Sequence, residues 1–99
     1  MTRDEFVQLI ENEKCPDYLS KALQALWYDK KGDWHTAHEI LGNAGDPDSA
    51  RIHAYLHRKE GDLDNASYWY KRSRQPEFKG ELDQEWEQLV SDLLMKISA

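Results

Sequence analysis

The chain has 99 residues, 39% apolar and 32% charged, with 13 Lys and Arg against 19 Asp and Glu and a formal net charge of −6. That length allows one small core, and the acidic balance argues against nucleic-acid binding by phosphate neutralisation. Cys15 is alone and excludes an internal disulfide, no apolar run reaches the roughly 18 residues of a membrane span, and acids stand where a signal peptide would carry a basic start; the expected setting is cytoplasmic, without membrane contact.

Helix signals dominate and alternating strand patterns are nearly absent, so the predicted fold is all-α, with about six helices. The first is expected from Arg3 to Glu13, opened by a capping box in which Thr2 and Glu5 each satisfy a free amide of the first turn. Pro16 suits the first turn of a second helix that runs through Leu19, Leu23, Leu26 and Trp27 to Lys31 and stops at Gly32. Asp33 caps a third, Trp34 to about Asn43, closed by the Gly42 to Gly45 region. The same grammar then recurs: Asp46 caps a helix begun by Pro47 and ended at Glu60 and Gly61, and Asp62 caps another from Leu63 to about Arg74. After the polar break QPEFKGE comes a terminal helix from about Leu82, in which Leu82, Trp86, Leu89, Val90, Leu93, Leu94 and Ile97 form one apolar stripe.

Setting Gly32 on Gly61 also aligns Ala25 with Ala54, Lys30 with Lys59, Asp33 with Asp62, Ala37 with Ala66 and Pro47 with Pro76, all at an offset of 29. Each match has a local job: Gly permits a left-handed turn, Asp caps the next helix, and Ala lets two helices approach. The stretch Gly61, Asp62, Leu63, Ala66, Trp69 and Tyr70 resembles the tetratricopeptide repeat family from its turn through its second helix, and Tyr28, Gly32, Trp34, Ala37 and Ala44 fit the first copy likewise, with Leu41 in place of an aromatic. The resemblance implies antiparallel helix hairpins: repeat 1 over about 17–45, repeat 2 over about 47–75, and a capping helix over about 82–98, in one domain spanning 1–99. The family repeats at about 34 residues, whereas this chain repeats at 29 and carries His53 and His57 where the family packs Leu and Tyr.

Arg51, Tyr55, Arg58 and Lys59 fall along one face of the helix after Pro47. In the resembled family the first helix of each pair lines a concave groove for peptides. The resemblance therefore implies a site for acidic segments or carboxylates, with Arg supplying a planar fork of donors and Tyr an aromatic surface. The plain alternative is a basic face paired with nearby acids.

His53 and His57, one turn apart, suggest a metal site with Glu60, or with His35 and His38. The zinc-protease pattern is absent and no Cys is spaced to help, so packing histidines, hydrogen-bonded within the helix pair, are expected and no metal or other cofactor is assigned. The run YWYKRSR interleaves aromatics with Lys71, Arg72 and Arg74, but the repeat alignment assigns Trp69 and Tyr70 to packing rather than to bases. Trp27 and Trp34 are expected as core or hairpin contacts.

Charge is acidic at both ends and net positive in the middle, which predicts neutralisation of the basic face within one molecule or between two. The expected function is protein or peptide binding, not enzymatic. The alternative is a homo-oligomer, in its simplest form a dimer, that uses the terminal apolar stripe as its interface.

Overall fold

The computed structural model describes residues 1–98, with side chains described through Lys96. Among the described residues there are six α-helices and no strand: α1 Arg3–Leu9, α2 Lys21–Lys30, α3 Trp34–Leu41, α4 Pro47–Lys59, α5 Leu63–Ser73 and α6 Leu82–Ser98. Helices α2 and α3 form one antiparallel hairpin and α4 and α5 a second, stacked on it; α6 lies across α2 and α4, and α1 packs on α6.

The two hairpin turns are built alike. Gly32 and Gly61 sit at φ 90° and 87°, a region that side chains with a Cβ rarely enter. The following Asp33 and Asp62 cap α3 and α5 by accepting from the amides of Thr36 and Asn65. Ala25, Ala37, Ala54 and Ala66 are all buried, as the close approach of paired helices requires.

Three helix boundaries differ from expectation. Helix α1 ends at Leu9, not Glu13: the chain tightens into bonds from Ile10, Glu11 and Asn12 to residues three earlier, and the Leu9 carbonyl is taken by the Trp27 indole at 2.8 Å. Helix α2 begins at Lys21, five residues after Pro16, because Ser20, at φ −61° and ψ 158°, accepts from the Leu23 amide and caps it. Pro16 instead supplies a carbonyl to a turn closed by the buried Leu19. Helix α3 ends at Leu41, since Gly42 at φ 55° leaves the helical region.

The core is gathered around α6. Trp86, Leu89, Val90, Leu93 and Leu94 are buried with Phe6 of α1, Leu23, Leu26 and Trp27 of α2, and Ile52, Tyr55 and Leu56 of α4. Side chains of this size buried in full each stabilise the fold by about 1.5–3 kcal/mol. The Trp86 indole donates to the Leu26 carbonyl at 3.1 Å, and that of Trp34, half-buried at the head of α3, donates to Leu56 at 2.8 Å. Trp27 is a core residue and Trp34 a bridge between hairpins. No helix among the described residues is long and apolar enough to cross a membrane.

Candidate functional site

Helix α4 carries both clusters of chemically capable side chains. Its apolar residues Ile52, Ala54 and Leu56 are buried, so the helix is a central element and its polar side chains are read by neighbours on several sides.

The face of Arg51, Tyr55, Arg58 and Lys59 turns toward α2 and α6, and each side chain is engaged there. Arg51 pairs with Asp92 of α6 at 2.9 Å. Tyr55 is buried and donates to Asp29 of α2 at 2.7 Å, while Lys59 reaches the other oxygen of the same carboxylate at 2.9 Å. Arg58 pairs with the buried Glu85 of α6 at 2.8 Å, donates to the Gly80 carbonyl, and lies over the Phe78 ring. Tyr70 of α5 donates to the second oxygen of Glu85 at 2.5 Å. The structure thus brings the four predicted residues together, but as clamps between helices. The neutralisation expected of the basic middle takes place within one molecule.

Two buried carboxylates organise these clamps, and each has its lone pairs taken by a cation and a phenol. That is the condition under which a charge is tolerated away from water. Burial pushes both phenols up from their ordinary range, and the neighbouring Asp29 and Glu85 add to it for Tyr55 and Tyr70 respectively, so each remains a donor. The sequence concealed these acceptors: Asp29 and Glu85 look like ordinary surface acids until the hairpins stack.

One part of the face stays open. At the seam of α4, α6 and the end of α5, a cleft of about 280 Å³ is lined by Asp48, Arg51, Gln75, Asp92, Met95 and Lys96, among others. Lys96 pairs with Asp48 at 2.6 Å, and Met95 is 70% exposed beside it. The apolar stripe of α6, the interface of the self-associating alternative, is turned inward from Trp86 to Leu94 as a capping helix requires; the side chain of Ile97, its last member, lies outside the described residues.

On another side of α4, His53 and His57 meet His38 of α3. His53 and His57 are nearly parallel at 6.2 Å, and His38 stands edge-on to them at 5.0 and 5.2 Å. The His53 ring lies flat on Trp69 of α5 at 4.0 Å, and His38 is stacked on Trp34 at 5.0 Å. Sequence spacing expected hydrogen-bonded packing histidines. His57 fits, with Nδ1 2.9 Å from a Glu60 oxygen, but His53 is 1% exposed and neither ring nitrogen has a partner. Burial lowers the basicity of His53, to a pKa of about 4, and His38 and His57 push the same way. His38 is shifted down for the same leading reason. His35, the fourth histidine considered from the sequence, points elsewhere and pairs with Glu39.

No protein-family model matches the chain, and neither does any curated protein or solved structure at a significant level.

Proposed function

We propose that the chain is a tetratricopeptide-like interaction module of the cytoplasm, with a binding rather than an enzymatic role, and that the α4–α6 cleft receives a short acidic segment of a partner protein. The observation that carries this reading is the pairing at the cleft. Arg51 and Lys96 both line it, and their present partners, Asp92 and Asp48, are themselves partly exposed. An incoming carboxylate can therefore exchange with Asp92 or Asp48 without stranding a buried charge. The guanidinium offers a two-pronged contact and the exposed Met95 thioether an adaptable apolar one. Tyr55, Arg58 and Lys59 act behind this surface, holding α2, α4 and α6 in register. The alternative of self-association finds its expected stripe on α6 turned inward.

The test is an NMR titration of labelled protein with an acidic peptide and its amide counterpart, Asn and Gln replacing Asp and Glu. Amides of Asp48 to Arg51 and Asp92 to Lys96 are expected to shift with the acidic peptide alone, less at high salt, and less in an Arg51→Gln, Lys96→Gln variant. Stationary amides in both stretches would overturn the proposal. A solution mass of twice 11.7 kDa would favour the self-associating alternative.

A further inference from the structure

The three imidazoles between α3 and α4 share no residue with the cleft, and the interaction surface does not explain them. One nitrogen from each of His38, His53 and His57 lies within 4.8 Å of the other two. His53 and His57 come from successive turns of α4, the spacing at which two imidazoles on one helix can reach the same ion, and His38 closes the triangle from α3.

A packing role leaves His53 unaccounted for. A buried polar side chain that makes no hydrogen bond is costly, and a Leu or Phe would fill the same space against Trp69 without that cost. Neither of its nitrogens makes a hydrogen bond of ordinary geometry, the Gly42 backbone offering only a weak one, although the ring is held flat on the indole. Its neighbour His57 is held as metal-binding histidines usually are. The Glu60 carboxylate only accepts, so in the neutral ring it fixes the proton on Nδ1 and leaves Nε2 with its lone pair free. Trp34 braces His38 in turn.

We propose that His38, His53 and His57 bind one divalent transition-metal ion of the zinc class per chain. A donor set of imidazole nitrogens selects zinc, cobalt, nickel or copper over magnesium and calcium, which prefer oxygen. Bonds of about 2.0–2.1 Å require each ring to swing inward by less than about 1 Å from its present place. His38 is half-buried, which gives the ion a route in and leaves a fourth position for water or an incoming ligand. Burial of His38 and His53 favours the neutral form that metals require.

The full chain without any affinity tag, freed of metal by chelation, is titrated with Co²⁺ and followed by its visible absorption, then challenged with Zn²⁺. One equivalent of cobalt is expected to give the bands of a low-coordinate site, and zinc to displace it and raise the melting temperature. His38→Gln should abolish uptake, Glu60→Gln should weaken it about 10–100-fold, and His35→Gln should leave it unchanged. His57, Glu60 and Asp62 also offer ligand atoms within 4.8 Å of one another, and His38→Gln separates the two groupings because His38 belongs only to the imidazole trio. On the unmutated chain, ring-nitrogen NMR shifts of His38, His53 and His57 must move on adding zinc while those of His35 stay. Absence of stoichiometric uptake, uptake unchanged in His38→Gln, or stationary ring nitrogens at His53 would each overturn the proposal.

Discussion

The two hairpins share a backbone and differ in what their matched positions hold. Their turns agree to within a few degrees at Gly32 and Gly61, and the amides of Asp33 and Asp62 donate equally, at 2.9 Å, to Tyr28 and His57. Yet Asp29 in the first copy is a buried acid that receives Tyr55 and Lys59, whereas its counterpart Arg58 is a base that holds Glu85. Trp34 bridges to α4 while its counterpart Leu63 is 66% exposed, and Tyr28 is answered by His57. What is repeated is the local instruction for a hairpin. What diverges is the response to a neighbour: both hairpins meet α6 and meet each other through α4, but the second leaves the far side of α5 in solvent.

The largest test of that difference is at the Asp29 and Arg58 pair. Arg58→Ala strands the buried Glu85 carboxylate and should destabilise the chain by about 3–5 kcal/mol in urea unfolding. Asp29→Ala should cost less, because it leaves the neutral Tyr55 hydroxyl rather than a buried charge without a partner, while Lys59, 38% exposed, can turn to water. Equal losses would mean that the two copies use these positions alike.

Two substitutions probe what the copies share. Ala37→Leu and Ala66→Leu should each overpack a helix contact and cost about 1–3 kcal/mol, by similar amounts; an unaffected chain would mean that the helices part without strain. Gly32→Ala and Gly61→Ala meet no atom within 4 Å, so only the positive φ opposes them, and each should cost about 1–2 kcal/mol in thermal unfolding. A twofold disparity between the glycines would show that the turns are not equivalent.

Acid titration sharpens the contrast from the side of the histidines, which occur at no matched position of α2. In metal-free protein His53 titrates near 4 against an ordinary 6.5, and His38 is also lowered. The unfolded chain then binds more protons than the folded one between those values, so stability falls as pH is lowered from about 6.5 toward 4, by about 1–3 kcal/mol. Glu39 and Glu60 oppose the shift of His38 and the Gly42 backbone and Asp46 that of His53, while His57 and His35 reinforce the first and His38 and His57 the second. The cap carboxyl of Asp46 is lowered chiefly by the Ser49 amide, and its contribution is lost only below about pH 4. Urea midpoints at pH 7, 5.5 and 4.5 check this, and a flat profile would mean that His53 is as accessible as in the unfolded chain.

The smallest effects come at Trp34 and Leu63. Trp34→Phe removes the donor to the Leu56 carbonyl and should cost about 0.5–1.5 kcal/mol, whereas Leu63→Ala should stay within about 0.5 kcal/mol. A larger loss at Leu63 would reveal contacts on the outer face of α5.

Much of the fold was legible along the chain. Thr2, Asp33, Asp46 and Asp62 cap the helices they were expected to cap, because a cap is settled by a side chain and an amide three residues away. Pro16 misled because a first-turn proline and a turn proline share the same fixed φ, and Ser20 was the better cap. The candidate binding face was legible as a spacing but not as an environment. Nothing in the order of residues brings Arg51 to Asp92 or Arg58 to Glu85, pairs 41 and 27 positions apart.

The sequence by itself determined six helices, the caps of four of them and the repeated hairpin turn, since propensity, periodicity and a positive φ act over a handful of residues. Only the tertiary structure decided that α6 would lie on α2 and α4, so that a basic face became a set of clamps and two turns of α4 brought His53 and His57 against His38. The reason is physical: a helix states which of its faces is apolar or charged, but the partner of that face is chosen by how distant helices fit together, and that choice also leaves the nitrogens of His53 unpaired.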